Sequence, residues 1–183
     1  LSAGGSAVFD LVAAQLKPVL SLPVRGVLRS GCYVTHDHGH YRRYVAAIES
    51  RLGCGHGLQA ALQVWSLVQS VPEPGLAILN AGKRDLSYDI ELPMPVAWVR
   101  RGAPAASLGP AVPASFPAPA DWRISALNDQ HAYLRFGPAE SAPQVGDLVA
   151  LGISHPCTTF DKWRWMPIVD ERHDVVDAIA TFF

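Results

Sequence analysis

The sequence is poor in charge, in cysteine and in lysine, and each shortage excludes something. Its formal net charge is −1 over 183 residues. Nothing in that balance suggests a basic stripe for a nucleic-acid backbone or a basic patch for a membrane surface. No apolar run is long enough to span a bilayer. The opening residues, Leu1 to Ser6, lack an initiator Met and the basic and apolar regions of a signal peptide. They read as a strand cut through its end. Cys32, Cys54 and Cys157 are an odd set without framework spacing. That pattern predicts free or metal-bound thiols in a reducing compartment, and hence a cytoplasmic protein. The lysines are Lys17, Lys83 and Lys162. What the chain has in quantity is apolar residues, 49% of the total, enough for one sizeable core or two small ones.

Taken in order, Ser6 predicts the N-cap of a helix over Ala7–Leu16, with Val8, Leu11, Val12 and Leu16 on one face and Pro18 ending it. A strand end, Gly-Gly-Ser and a helix can present backbone N–H groups to an anion, although an ordinary tight turn reads the same way. Val24–Leu28 predicts a strand, Arg29–His40 a polar segment, and Tyr41–Leu52 a helix of period near 3.6. Residues 1–57 thus resemble the last turns of a β/α structure. Beyond Gly57 the pattern turns to strands: Leu58–Val71, Leu76–Leu79, Val96–Val99, Trp122–Leu127, His131–Phe136, Leu148–Ile153, Met166–Val169 and Val175–Phe182. Their spacing predicts an antiparallel β-domain over 58–183. The Ala/Pro-rich stretch Gly102–Asp121 reads as a surface loop or linker.

The most suggestive stretch is Gly146–Trp163. Leu148–Ile153 predicts a buried strand, and at its exit one proline separates His155 from Cys157. An extended segment points i and i+2 to the same side, so the two side chains are expected side by side. Both suit zinc, yet a buried cysteine beside a strand-end histidine fits the spacing as well. His36, His38 and His40 alternate in a manner that invites a metal-hydrolase reading, but no further ligands follow in a convincing order. They read better as a strand-to-helix corner, with Asp37 near the helix start. Asn128-Asp-Gln-His131 predicts a hairpin turn with a structural histidine. Gly82-Lys-Arg-Asp85 lacks the spacing of a phosphate-binding loop, and no Gly-x-Ser-x-Gly elbow occurs.

Ser2-Ala-Gly-Gly-Ser6, Leu28-Arg-Ser-Gly-Cys-Tyr33, Asn80-Ala-Gly-Lys83, Asn128-Asp-Gln-His131 and Ser154-His-Pro-Cys157 together resemble, in this order, the C-terminal portion of a D-serine dehydratase/D-threonine aldolase-like enzyme of the alanine-racemase fold type. The resemblance spans nearly the whole chain, and His-Pro-Cys after a Gly-Asp-x-Val strand is its most specific element. It implies an α+β chain: the last β/α units of a (β/α)8 barrel, then an antiparallel β-domain carrying a metal site. It implies pyridoxal 5'-phosphate with its phosphate at Gly4, Gly5 and Ser6, and Tyr33, Ser30 and Gly31 lining the cofactor site. His155 and Cys157 fall on the metal ligands. Aldolase members have a carboxylate at the second ligand, so Cys157 favours zinc and the dehydratase.

The implied reaction is β-elimination from a D-hydroxy amino acid such as D-serine, giving a 2-oxo acid and ammonia. The implied enzyme is a lyase, a homodimer when full length, acting on small D-amino acids. One feature departs from the family. The Schiff-base lysine lies early in the barrel, and none of the three lysines here occupies that place. The chain is therefore expected to be truncated and inactive alone. The rival readings are retro-aldol cleavage on the same scaffold and a catalytically silent interaction module.

Overall fold

The computed structural model describes residues 1–17, 19, 21–55, 57–101, 115–138 and 142–182. It is a mixed α/β structure whose bulk is one curled antiparallel sheet. The chain opens with β1 (Ser2–Gly4), α1 (Phe9–Gln15) and β2 (Val27–Arg29), and β1 and β2 pair in parallel from Ser2 beside Val27 to Gly4 beside Arg29. The helix starts later than Ser6 predicts. Val8 is its N-cap, without a side-chain cap bond, and Ser6 is committed elsewhere. Pro18 lies outside the described residues.

A short 3-10 turn at Gly31–Tyr33 leads to α2 (His40–Leu52), which buries Val45 and Ile48. Asp37 organises its start. The buried carboxylate accepts N–H bonds from Gly39 at 3.1 Å, Tyr41 at 2.9 Å and Arg42 at 3.1 Å, so donors left free by the first turn are satisfied and a negative charge faces the positive helix end. Gly53 ends the helix in the left-handed region at φ 63°, and Cys54 N–H donates to the Glu49 carbonyl at 3.2 Å.

The sheet follows: β3 (Gln63–Glu73), β4 (Leu76–Leu79), β5 (Met94–Val99), β6 (Phe116–Pro117), β7 (Arg123–Leu127), β8 (Ala132–Arg135) and β9 (Leu148–Gly152), in the order β6-β5-β9-β3-β4-β8-β7. The strand regions agree with the sequence pattern to within a few residues, apart from β3, which starts at Gln63 rather than Leu58. Pro95 is tolerated inside β5 because the register with β9 shifts between Pro95 and Ala97. Of the expected loop Gly102–Asp121, residues 102–114 lie outside the described residues, and the remainder contains β6.

Long β3 gives the sheet its curl. Gln63–Leu67 pairs with β9, and from Val68 onward the strand pairs with β4. The far strands then approach each other, with the rings of Trp98 on β5 and Trp122 before β7 at 5.5 Å. Val68, Leu79, Leu134, Val149, Leu151 and Ile153, all at 0% exposure, fill the concavity of this half-barrel. Two backbone contacts dictate glycine. A Cβ on Gly82 would meet Asn128 O at 2.4 Å and His131 N at 2.5 Å, because the 82–85 turn lies directly on the β7–β8 hairpin. Lys83 N–H donates to Asn128 O at 2.9 Å and Arg84 N–H to Asp129 O at 3.0 Å. The Asn80–Lys83 and Asn128–His131 motifs are thus two halves of one structural junction.

After α3 (Cys157–Phe160), β10 (Trp165–Val169) and β11 (Val175–Ala180) form a separate antiparallel pair. Among the described residues no helix is long and apolar enough to cross a membrane.

Candidate active site

Strand β9 lies between β5 and β3, four of its five residues are buried, and it delivers His155 at its exit. At the same place the N-terminal segment meets the sheet. His38 N–H donates to Ile153 O at 2.8 Å, and a Cβ on Gly152 would fall 2.6 Å from His38 Cγ and 2.7 Å from Val96 Cγ1. The glycine inside the strand is required by this close approach. Residues 35–39 and the loop after β9 therefore share one seam.

The backbone at the motif differs from the extended form expected. Pro156 has φ −70° and ψ −24°, a helical conformation, and caps α3. Proline fixes φ but leaves ψ open to the helical value, so a turn and not a strand places His155 and Cys157. His155 is partly exposed and its Nδ1 lies 2.6 Å from Asp89 Oδ2. Thr158 Oγ1 donates to the other oxygen of Asp89 at 3.2 Å. Burial pushes the Asp89 carboxyl up, but the bond to His155, with lesser help from backbone N–H and Thr158, outweighs it and holds the group below the usual carboxylate range.

Cys157 is exposed, which removes the reading of it as a buried core cysteine. The thiol of buried Cys32 is influenced by both Cys157 and the Ser6 hydroxyl. Burial and the neighbouring Cys157 push the Cys32 thiol up to about 11. The Tyr41 phenol is raised by burial first and then by Cys32 and Cys157, and its ring centroid is 6.3 Å from that of His155. The cysteine of the motif is in this way linked through Cys32 to the opening turn of the chain.

On that opening turn, Ser6 Oγ and Ser30 Oγ are 2.7 Å apart, at the ends of parallel β1 and β2. Gly4 and Gly5 are closely packed: an added Cβ would sit 3.1 Å from Arg29 O and 3.2 Å from Val12 Cγ2 respectively. Gly31 is open, with nothing within 4 Å of such an atom. The Tyr33 ring stands edge-on to Phe9 at 5.1 Å, and its buried hydroxyl makes no hydrogen bond to the described residues. Burial raises the Tyr33 phenol against a smaller opposing pull from Ser30.

His36 and His38 occupy the corner before α2, where burial lowers both imidazoles below the usual histidine value, and His36 adopts φ 51°. Among the described residues no three His, Cys, Asp or Glu side chains converge on one point, so the three alternating histidines build no hydrolase centre. Sequence reasoning missed the loop between β4 and β5. Besides Asp89 it supplies Glu91, which takes the Ser154 hydroxyl at 3.2 Å and pairs with Arg43 of α2. Alternating Ser87, Asp89 and Glu91 in residues 86–99, a stretch otherwise without charge, was the available signal.

The model of the family described as "Putative serine dehydratase domain" matches residues 61–169, which contain His155, Cys157, Asp89 and both halves of the Gly82 junction. The chain belongs to this family. Its fold agrees with that of two solved enzymes. One is the D-threonine aldolase from Filomicrobium marinum, with a TM-score of 0.59 and 20% identity over 83% of this chain and 34% of that one. The other is D-threo-3-hydroxyaspartate dehydratase. A histidine-to-alanine mutant of it gives a TM-score of 0.52 at 16% identity, over 82% and 36% of the two chains. A cysteine-to-alanine mutant in the metal-free form gives 0.50 at 17% identity, over 82% and 37%. This serine dehydratase-domain chain thus spans about a third of the length of its structural relatives. No curated protein matches it.

Proposed function

We propose that the chain supplies the metal-bearing β-domain, residues 58–183, and part of the cofactor wall, residues 1–57 as the last β/α units of a barrel, of a homodimeric lyase. Its reaction would be β-elimination from a D-hydroxy amino acid such as D-serine, yielding a 2-oxo acid and ammonia. The observation that carries this reading is the His155–Asp89 contact beside an exposed Cys157 on a turn that meets the Ser6 and Cys32 surface.

The donor set fits a metal. With Nδ1 occupied by Asp89, His155 keeps Nε2 for coordination, and a thiolate beside an imidazole is a borderline-soft pair suited to zinc. Two protein ligands leave positions open for water and substrate. In the dehydratase relative the two replaced residues are a histidine and a cysteine two apart, the spacing of His155 and Cys157, and one mutant is described as metal-free. Zinc held there would supply a Lewis acid for the leaving β-hydroxyl.

The opening turn fits a phosphate. Gly4 lies against the Arg29 carbonyl, close in sequence to the paired Ser6 and Ser30 hydroxyls, and the Tyr33 hydroxyl is buried with no hydrogen-bond partner among the described residues. Ser6 and Ser30 would orient the phosphate, with Gly31 leaving open space beside them. Pyridoxal 5'-phosphate bound there would supply the electron sink for loss of the α-proton. The lysine that would carry it lies outside this sequence in the proposed enzyme.

Full-length protein incubated with D-threonine separates the family's two chemistries. 2-Oxobutanoate and ammonia are expected, lost on chelation and in Cys157→Ala. Glycine and acetaldehyde would make it an aldolase, and activity that survives both treatments would contradict the metal reading.

A further inference from the structure

We propose that Asp89 is the positioning residue that selects the metal-facing nitrogen of His155, and that Thr158 holds it in place. The proposal rests on the metal reading above. An ionised carboxylate only accepts hydrogen bonds, so at 2.6 Å from Asp89 Oδ2 the neutral imidazole must carry its proton on Nδ1. Nε2 is then left with its lone pair, the form a metal requires.

Both oxygens of the carboxylate are used. Thr158 Oγ1 reaches Oδ1 at 3.2 Å, which fixes the rotation of the group as well as its position. Thr158 follows Cys157 in the same helical turn, so the thiol and the anchor of the carboxylate are carried by one rigid element. The Asp89 loop is also tied on both sides. Ser87 N–H donates to buried Thr159 Oγ1 at 2.9 Å, that hydroxyl donates to Ser87 Oγ at 3.1 Å, and Glu91 holds Ser154. His155 is thus met by a pre-set partner from a loop 66 residues away in sequence.

The Asp89 side chain is 44% exposed, and a contact this open adds little to folding stability. Its removal should alter the imidazole more than the fold. A merely structural aspartate would do the reverse.

Two readouts on the chain itself, metal-free and zinc-loaded, test this. Long-range proton–nitrogen NMR of the metal-free protein is expected to show His155 as the Nδ1–H tautomer, and Asp89→Ala to convert it mainly to Nε2–H. Zinc affinity by chelator competition is expected to fall about 10–100-fold in Asp89→Ala. Asp89→Asn, whose amide oxygen still accepts from Nδ1–H, should retain the tautomer and most of the affinity. Its loss of both would overturn the hydrogen-bond assignment. Unchanged tautomer and unchanged affinity in Asp89→Ala would overturn the proposal while leaving the metal reading intact. A His155→Ala variant that binds zinc as tightly as the parent would instead overturn the metal reading, and the proposal with it.

Discussion

The half-barrel sheet and the β1–α1–β2 unit treat their apolar residues in opposite ways. Within the sheet, Val68, Leu134, Val149 and Leu151 are wholly buried. In the unit, α1 buries no residue, and Val8, Leu11 and Val27 remain exposed. The sheet makes its own core; the unit contributes candidate site residues and little packing. The candidate site lies where the two meet, with His155 and Cys157 on the sheet side and Ser6, Ser30 and Cys32 on the other. Candidate site groups can therefore be changed at this seam without dismantling the core of the sheet.

The largest expected effect separates the two regions directly. Leu151→Ala leaves a cavity between buried strands and should cost about 2–5 kcal/mol by urea unfolding, whereas Leu11→Ala on exposed α1 should stay within about 0.5 kcal/mol. Comparable losses would show that the unit is as tightly packed as the sheet. Gly152→Ala sharpens the comparison at the seam. Its methyl would strike His38 and Val96, so a loss of about 1–3 kcal/mol is expected, partly recovered when His38→Ala is combined with it. No recovery would mean that the seam contact is not what requires the glycine.

The smallest effect is electrostatic. Arg43 holds the Glu91 carboxyl below its ordinary value of 4.5. A carboxyl depressed in the folded state stabilises that state fully above the unfolded value and loses its contribution as pH falls through the folded one. The docking of α2 should accordingly weaken below about pH 4.5, and Glu91→Gln should flatten that part of the acid unfolding curve. An unchanged curve would remove the Arg43–Glu91 pair from the account of the seam.

Much of this architecture was legible in local pattern. The apolar run of β9, the 3.6 period of α2 and the turn residues around β7 and β8 each specify an element whatever packs against it. The motif order was legible as well, and it led to the family that the 61–169 match shows. The misses share one cause, a partner distant in sequence. Ser6 fails as a cap because its hydroxyl is bound to Ser30, 24 residues away. Pro156 was read as extended because its fixed φ suits both a strand and a turn, and the bonds of α3 choose the turn. Asp89 carries only a faint local mark, its place in the Ser87–Asp89–Glu91 alternation, since its partners His155 and Thr158 lie far along the chain. Glycines were half legible: Gly82 sits inside a motif and Gly152 inside an apolar strand run, but only the opposing backbone and His38 explain them.

The central claim is a metal held by one imidazole and one thiolate. X-ray absorption at the zinc edge of the zinc-loaded chain tests it most directly. The expected first shell contains one sulfur at about 2.3 Å and imidazole nitrogen at about 2.0–2.1 Å, the sulfur vanishing in Cys157→Ala. A shell of oxygen and nitrogen alone in the unaltered chain would contradict it.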